Sequence, residues 1–222
     1  MIAAIRMSQA TQALAKYPAG KELSIFLKGY FKQFPKMGSR DRREVSQLVY
    51  GALRLKTLFP EATVEQRIWL GSLLCDAEPG AFAAHWTPHF VQEAWTGISD
   101  FAEKLDWLAE HGFVARWEGF FPQPNAISSA VELQSFYAAH LATPFTWIRV
   151  RQKYLQATIK ELEQKGIVYE QNAALPTALA LKAGVKLDAL QCWAQGWIEV
   201  QDLASQMTGT LFEPKASERW LD

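Results

Sequence analysis

Few of the residues that usually carry catalysis or bind metals are present in this sequence of 222 residues. It has two cysteines, Cys75 and Cys192, and four histidines, with no Cys-x-x-Cys pair. A disulfide framework needs more cysteines, and a zinc site needs cysteines and histidines at close spacing. The sequence therefore argues against both a disulfide-stabilised scaffold and a zinc site.

The short motifs with which enzymes bind nucleotides or activate a nucleophile are also missing. No Gly-x-Gly-x-x-Gly, Gly-x-x-x-x-Gly-Lys, Gly-x-Ser-x-Gly or His-Glu-x-x-His run occurs. His85 and His89 are four residues apart, but Pro88 lies between them and no third metal ligand is evident. Cys75 falls within an apolar helical pattern, and nothing beside Cys192 would activate its thiol. We expect no complete active site, no cofactor and no metal in this chain.

Long apolar runs are absent as well. The first residues are too few and too soon interrupted by Arg6 for a signal peptide, and no run approaches the roughly 18 apolar residues that cross a bilayer. Hydrophobic residues nevertheless make up 49% of the sequence, which is enough for a buried core. These features predict a globular cytoplasmic protein without membrane contact.

The charged residues are distributed unevenly, although the formal net charge is zero. Residues 1–60 contain 11 Lys and Arg against 3 Asp and Glu, whereas residues 61–145 contain 3 against 11. Residues 146–222 are balanced, with nine of each sign. A basic block attracts polyanions such as RNA through a long-range field. The alternative is that its side chains are solvated and pair with the acidic block inside one domain.

The first half of the sequence has the periodicity of helices. Apolar residues recur every three or four positions over 7–17, 21–34, 39–53, 64–76 and 101–112. Ser39 is placed to cap the third of these helices, with Asp41 in its first turn. Several amphipathic helices joined by short connections predict an α-helical bundle over 1–112. The glycine and prolines that follow indicate a linker over 113–128.

After this linker the periodicity changes. One further helix is predicted over 129–141, and Thr146-Trp147-Ile148-Arg149-Val150-Arg151 then alternates with the period of two that a strand has. An amphipathic helix over 152–165 ends at Gly166. Short strands are predicted at 167–169, 178–182 and 196–200. This order predicts a small α+β domain of ferredoxin-like character over 129–200.

One set of candidate RNA-binding residues lies at the start of a predicted helix. Arg40, Arg42 and Arg43 cluster there, where free backbone N–H groups and the helix dipole favour anions. The guanidinium group also matches the geometry of a phosphate. The alternative is that one of these arginines pairs with Asp41 or Glu44 and the others are solvated.

A second set lies on the predicted strand. Trp147, Arg149 and Arg151 face one side of it, opposite the two apolar residues between them. An aromatic ring beside two cations suits single-stranded RNA, because a base stacks on the ring while phosphates bind the cations. The alternative is that Trp147 packs beneath the preceding helix and the arginines pair with Glu161 or Glu163.

The C-terminal third of the sequence resembles the Sun/Fmu (NOP/NOL) family of RNA cytosine-C5 methyltransferases. The similar residues are Trp147 to Arg151, Leu162 to Ile167, Ala178 to Leu181 and the run Gly196-Trp197-Ile198-Glu199-Val200-Gln201-Asp202-Leu203-Ala204-Ser205-Gln206. The last run is similar to the segment directly before the catalytic domain of the family. More loosely, Ser39-Arg40-Asp41-Arg42-Arg43 with Val49-Tyr50-Gly51 is similar to the NusB-like helical domain at the front of bacterial members.

The resemblance implies a NusB-like domain over 1–112, a ferredoxin-like RNA-binding domain over 129–200 and the start of a methyltransferase domain over 201–222. The family's cofactor turn and its cysteine motifs have no counterpart here, so no catalytic role passes to Cys75 or Cys192. Ribosomal RNA is the implied partner. S-adenosylmethionine is the implied cofactor of the full-length enzyme, whose catalytic Rossmann-like domain is absent from this sequence.

Two other interpretations stay open at this point. The helical bundle could be a protein-interaction module, or the chain could be a stand-alone relative without catalysis. Without the catalytic domain, the apolar residues of 203–211 are expected to be exposed. They would fold back on the α+β domain or promote self-association.

Overall fold

The structure is a computed structural model that describes residues 2–18, 20–75, 82, 85, 98, 100–117, 120–121, 127–212 and 217–219. It contains two compact units, Met1–Thr143 and Pro144–Asp222. Helices form the first unit, and helices with a small antiparallel sheet form the second. This agrees with the class predicted from periodicity, a helical region followed by a small α+β region.

Six helices occupy the described part of the first unit. They are α1 (Ile2–Lys16), α2 (Leu23–Phe31), α3 (Ser39–Arg54), α4 (Val64–Leu74), α5 (Phe101–Glu110) and α6 (Leu133–Leu141). In α3, the buried residues Val45, Leu48, Val49 and Ala52 recur every three or four positions, so one face of the helix is apolar. This face joins the apolar cluster that α1 to α4 form together.

The helix starts differ in detail from those predicted. Ser39 does not cap α3, because the N-cap is Gly38 and no side chain bonds to the first turn. Asp41 does lie in that first turn. At the start of α4, Thr63 accepts a bond from the backbone N–H of Gln66 at 3.2 Å, and Gln66 accepts one from the N–H of Thr63 at 2.7 Å. This reciprocal capping box fixes the start of α4.

Helices α3 and α4 cross at two glycines. A Cβ atom added to Gly71 would lie 2.8 Å from the carbonyl carbon of Gly51, and one added to Gly51 would lie 3.2 Å from the Cα of Gly71. Real Cβ atoms do not approach a backbone atom as closely as the first of these distances. The two backbones therefore meet because neither residue has a side chain.

The structure places α6 with the helical unit. Leu141 is fully buried in a second apolar cluster, together with residues such as Leu58 and Leu108. Arg54 donates to the carbonyl oxygens of Leu141 and Ala142 at 3.2 and 3.4 Å, which satisfies the end of α6. The units therefore divide after Thr143, whereas the sequence predicts that this helix opens the second domain.

The residues predicted as a linker also contribute to packing where the structure describes them. Phe113, Trp117 and Phe120 pack against the second apolar cluster. The ring of Trp117 stacks on that of Tyr137 with centroids 4.6 Å apart. Large aromatic side chains bury much apolar surface, so this stretch is anchored to the helical unit by its rings.

The second unit alternates strands and helices. Its elements are β1 (Thr146–Val150), a 3-10 turn (Gln152–Tyr154), α7 (Leu155–Gln164), β2 (Tyr169–Gln171), β3 (Ala178–Leu181), a 3-10 turn (Leu187–Ala189), α8 (Gln191–Ala194), β4 (Ile198–Val200), α9 (Leu203–Thr208) and a 3-10 turn (Gly209–Leu211). The strands form one antiparallel sheet in the order β2-β3-β1-β4. Ile148 and Val150 point into the core of the unit, as predicted.

The register of the sheet defines its two faces. Ile148 pairs with Leu179 on β3, and both belong to the apolar core that includes Leu155 and Leu162 of α7. Along each strand, the residues that alternate with these core residues point to the opposite side of the sheet. Trp147 pairs with Ala180 of β3, and Arg149 pairs with Ala178 of β3 and Glu199 of β4. We call the side that bears Trp147, Arg149 and Glu199 the outer face.

A carboxylate joins α7 to α8. Glu161 accepts hydrogen bonds from the backbone N–H groups of Gln191 at 2.6 Å and Cys192 at 2.8 Å. Burial raises the pKa of Glu161, but these two bonds and the charge of Lys165 outweigh burial and hold the pKa below its ordinary value. The ionised side chain therefore caps α8 and fixes it on α7.

Candidate nucleic-acid interface

The three strand residues singled out in the sequence lie on the outer face. The side chains of Arg149 and Arg151 are 49% and 59% exposed, so neither guanidinium lies in the interior. Trp147 is half-exposed, and no aromatic ring or cation stacks on its indole within the part of the chain that the structure describes. The outer face thus presents an aromatic ring and two cations on one strand.

Both arginines share one carboxylate partner. Arg149 Nη2 lies 2.7 Å from Glu199 Oε2, and Arg151 Nη2 lies 3.7 Å from Glu199 Oε1. The acids expected as alternative partners are engaged elsewhere, since Glu161 caps α8 and Glu163 accepts a bond from the hydroxyl of Tyr169 at 3.2 Å. Ion pairs between exposed side chains are weak, so a phosphate can compete with Glu199 for the arginines.

Small residues flank these side chains. Ala178 and Ala180 stand opposite Arg149 and Trp147 on β3, and they are almost fully buried although they lie on the outer face. Their burial indicates that larger neighbouring side chains cover them.

The three arginines of α3 do not form one patch. Arg40 is 90% exposed and lies 3.3 Å from Glu44, and Arg43 is exposed with no carboxylate partner within the described residues. Arg42 is half-buried and donates to the carbonyl oxygen of Phe34 at 3.4 Å. The alternative in which one arginine pairs with Glu44 therefore describes Arg40, whereas Arg42 turns toward the connection between α2 and α3.

Arg6 of α1 holds the two carboxylates beside these arginines. It pairs with Asp41 through a short contact and with Glu44 at 3.1 Å. Sequence periodicity did not identify this residue, because Arg6 and Asp41 are 35 positions apart. Since Asp41 is engaged by Arg6, Arg43 keeps its charge available to solvent.

Two further residues extend the exposed side of α3. Gln47 and Tyr50 follow Arg43 at intervals of four and three residues, and all three are exposed. Residues at this spacing lie on the same helix face. The face therefore combines Arg40, Arg43, an amide and an aromatic ring. The regular spacing was the signal in the sequence that could have identified Gln47 and Tyr50.

Most other cations of residues 1–60 are exposed and have no carboxylate partner among the described residues. The three acids of this block are occupied: Glu22 accepts a short bond from Ser24, while Asp41 and Glu44 bind the arginines described above. The exposed lysines are Lys16, Lys21, Lys28, Lys32, Lys36 and Lys56. A surface with this excess of positive charge attracts polyanions.

Neither cysteine has the environment of a nucleophile. Cys75 and Cys192 are both buried free thiols. Burial raises the pKa of Cys192 to about 11, and the nearby carboxylate of Glu161 acts in the same direction. Within the described residues, no group of three His, Cys, Asp or Glu side chains could hold a metal ion.

The described helices are all too short or too polar to span a bilayer. Apolar side chains are nevertheless exposed near the C-terminus, as the sequence predicts for residues 203–211. Met207, Leu211 and Phe212 are 42%, 78% and 53% exposed. They form a short apolar segment that begins in α9.

Comparison with known proteins connects the chain to one group of enzymes. No protein-family model matches the chain. Ribosomal RNA small subunit methyltransferase B of Vibrio cholerae is 38% identical over 78 residues, which cover 34% of this chain and 18% of the relative. The protein of the same name from Cronobacter sakazakii is 28% identical over 118 residues, covering 52% of this chain and 26% of the relative.

A third protein of that name, from Serratia proteamaculans, is 35% identical over 85 residues, covering 36% of this chain and 19% of the relative. The matched segments thus span about a fifth to a quarter of the length of these curated relatives. The crystal structure of PH0851 aligns with 97% of this chain and 56% of its own chain, with a TM-score of 0.43 and 17% identity. The sequence matches support a relationship to ribosomal RNA methyltransferases.

Proposed function

We propose that this chain binds ribosomal RNA and positions it for S-adenosylmethionine-dependent methylation of a cytosine at carbon 5. The observation that carries the proposal is a partly exposed Trp147 beside the exposed Arg149 and Arg151 on the outer face of the sheet. A ring and two cations on a strand provide stacking and charge for a single-stranded segment. The names of the curated relatives supply the substrate class, ribosomal RNA.

In this proposal the two units have separate tasks. The order β-α-β-β-α-β and the strand order β2-β3-β1-β4 support a ferredoxin-like assignment for the second unit. The helical unit is proposed to be NusB-like and to add contacts to RNA phosphates through Arg40, Arg43 and the exposed lysines. Cys75 and Cys192 take no part in methyl transfer. S-adenosylmethionine is proposed to act in parts of the parent enzyme outside this chain, in the cytoplasm, where ribosomal RNA is found.

The experiment is a titration of fluorescently labelled ribosomal RNA hairpins, followed by anisotropy at about 50 mM and 200 mM salt. Replacing Arg149 and Arg151 together by Gln should weaken binding. It should also reduce the slope of log affinity against log salt by about 1.4 in magnitude, because each lost phosphate contact on a single strand contributes about 0.7 to this slope. Trp147→Leu should weaken binding by about tenfold without changing this slope.

Two variants serve as matched controls. Trp193 is an exposed tryptophan on α8, and Lys160 is an exposed cation on α7. Neither lies on the strands that form the outer face, so Trp193→Leu and Lys160→Gln should bind RNA as the natural chain does. Equal binding by all variants, or no binding at low salt, would refute the proposal.

A second candidate function is a protein-interaction module formed by the helical unit. One observation favours it, an open cleft of about 530 Å³ between α5 and α6, lined mainly by apolar side chains such as Phe101, Leu105 and Tyr137. Leu133→Asp, which changes an exposed residue of this cleft, distinguishes the two functions. If RNA affinity is unchanged while a protein partner is lost, the interaction module is the better description of the helical unit.

A further inference from the structure

A stacked pair of aromatic rings lies beyond the C-terminal end of β1, whereas Trp147 lies near the start of this strand. The rings of Tyr154 and Trp197 are 4.7 Å apart between centroids and inclined by only 14°. The ammonium group of Lys153 lies 4.7 Å from the centre of the Tyr154 ring. The two rings are half-exposed, and Lys153 is exposed. A cation, a phenol ring and an indole ring are thus assembled in one place.

The register of the sheet brings this stack next to Arg151. The backbone N–H of Arg151 donates to the carbonyl oxygen of Trp197 at 2.9 Å, which continues the pairing of β1 with β4 beyond Val150 and Ile198. Trp197 directly precedes β4, so its backbone lies beside that of Arg151 at this end of the sheet. Trp197 also packs in part against the core of the unit, so its ring is held in place.

We propose that Tyr154, Trp197, Lys153 and Arg151 form a second nucleotide-binding position, separate from the one at Trp147. The aromatic stack would extend onto a base, Lys153 would swing away from the ring toward the solvent-exposed phosphate, and Arg151 would bind the neighbouring phosphate. The inference rests on the proposed function, because it assumes that the outer face binds single-stranded RNA.

Along the chain, Trp147 lies about 13 Å from Arg151, which adjoins the stack, since four steps of about 3.3 Å separate these two residues. A mononucleotide can occupy only one of the two positions, whereas a single strand of several nucleotides reaches both. Arg149 lies between the two positions and would hold the connecting phosphates. The sheet is therefore a platform for two separated bases.

The spacing leads to a direct test. RNA strands are prepared in which two uridines are separated by zero to five abasic ribose-phosphate units, and their affinities are measured by anisotropy. The affinity should pass through a maximum at one separation. Tyr154→Leu and Trp147→Leu should each remove this maximum and lower the affinity there by about fivefold to a hundredfold.

Conservative variants separate stacking from a structural role. Tyr154→Phe keeps the ring and should retain the maximum. Lys153→Gln changes only an exposed side chain and should weaken binding at every separation without moving the maximum. Thermal unfolding of each variant shows whether the sheet unit is intact. Trp193→Leu is again the control for loss of an exposed tryptophan.

The results distinguish failure of this inference from failure of the proposed function. If Trp147→Leu weakens binding while Tyr154→Leu and Lys153→Gln behave as Trp193→Leu does, the second position does not exist, although the outer face still binds RNA. An affinity that does not change with the number of abasic units between the two uridines would lead to the same conclusion. If no substitution on the outer face affects RNA binding, the proposed function itself is wrong.

Discussion

Arg149 and Glu199 stand directly opposite each other on β1 and β4, with Nη2 and Oε2 2.7 Å apart. The same carboxylate also lies 3.7 Å from Arg151. Glu199 therefore occupies the position where a phosphate would meet both guanidinium groups. The pairing offsets part of the positive charge of the outer face, so the attraction of this face for RNA is weaker than its arginines alone would give.

The first prediction concerns this carboxylate. Glu199→Gln removes a negative charge within contact distance of both arginines while keeping the size of the side chain. We expect RNA affinity to rise by about threefold to tenfold at low salt, since each phosphate that binds no longer competes with a carboxylate. Anisotropy titrations with one hairpin measure the change.

The control for Glu199→Gln is Glu170→Gln. Glu170 is exposed on β2, opposite Ala180 and two strands away from the arginines. Its substitution changes net charge equally but removes no contact with Arg149 or Arg151, so its effect on affinity should be small. A loss of affinity in Glu199→Gln would mean that the carboxylate orients the arginines for RNA, contrary to the prediction.

The second prediction separates the roles of two adjacent arginines. Arg43 is exposed and free of carboxylates in the described structure, whereas Arg42 is half-buried against the α2–α3 connection. Arg43→Gln should weaken RNA binding by about twofold to fivefold and leave the melting temperature unchanged. Arg42→Gln should instead lower the melting temperature, because Arg42 loses its contact with the carbonyl oxygen of Phe34. Equal effects of the two substitutions in both assays would contradict this division.

The third prediction tests the crossing of α3 and α4. Gly71→Ala places a Cβ 2.8 Å from backbone atoms of Gly51, so the helices must separate. We expect the free energy of unfolding of the helical unit to fall by about 1–3 kcal/mol. Chemical denaturation followed by circular dichroism measures the change.

Gly29→Ala is the matched control for Gly71→Ala. Gly29 lies within α2, and a Cβ added there meets no atom within 4 Å. Alanine favours helix over glycine by about 1 kcal/mol at an open position, so this variant should be more stable than the natural chain. Substitutions of the same kind are thus expected to have opposite signs at the two sites.

The fold of the sheet unit illustrates what a sequence predicts well and what it does not. β1 is evident because Ile148 and Val150 alternate with larger polar side chains and face the core. β3 is less evident, because all four of its residues are buried and the strand reads as a plain apolar run. The alternating pattern identifies a strand that is exposed on one side, and β3, whose four residues are all buried, lacks it.

The sequence predicts the start of β2 two residues too early, for a local reason. Ile167 is apolar and precedes Val168, so the sequence predicts a strand from 167. In the structure Gly166 has a φ of +63°, and the N–H of Ile167 donates to the carbonyl oxygen of Leu162 at 2.9 Å. This is the Schellman motif that ends α7, in which the residue after the glycine is often apolar. The strand therefore begins only at Tyr169.

The candidate site is harder to predict from the sequence than the strands are, because its partners are set by contacts between residues far apart in the chain. The exposure of Trp147, Arg149 and Arg151 follows from alternation along β1. Their carboxylate partner, Glu199, follows from the pairing of β1 with β4, which joins residues 50 positions apart. The acids near in sequence, Glu161 and Glu163, were the natural candidates but serve α8 and Tyr169. Register between distant strands was the missing information.

The fourth prediction concerns the pH dependence of stability. The pKa of Glu161 is lowered in the folded chain, so this group stabilises the fold above the ordinary glutamate pKa of 4.5. As the pH falls through the folded-state pKa, the carboxylate takes up a proton and this stabilisation is lost. Glu161→Gln should lower the free energy of unfolding by about 1–2 kcal/mol near pH 7. Its difference from the natural chain should shrink as the pH falls below 4.5.

Denaturation of the natural chain and of Glu161→Gln at a series of pH values tests this. Glu170→Gln is the control here as well, because Glu170 is exposed and caps no helix. A difference between the natural chain and Glu161→Gln that stays constant down to the lowest pH would show that the carboxylate charge does not hold α8.

The fifth prediction concerns the apolar segment at Met207, Leu211 and Phe212. Exposed apolar side chains that are close together favour association, since burial of their surface is favourable by about 25 cal/mol per Å². We expect weak self-association that increases with protein concentration and with salt. Light scattering coupled to size-exclusion chromatography over a tenfold range of concentration measures it.

Leu211→Ser combined with Phe212→Ser should keep the chain monomeric over the whole range of concentrations. Ile25 provides the control, because it is 56% exposed on α2 and lies outside this segment. Ile25→Ser removes a comparable apolar side chain and should leave the self-association unchanged. A chain that is monomeric at every concentration would show that the segment does not bind a second copy. Loss of association in Ile25→Ser would place the contact on the helical unit instead.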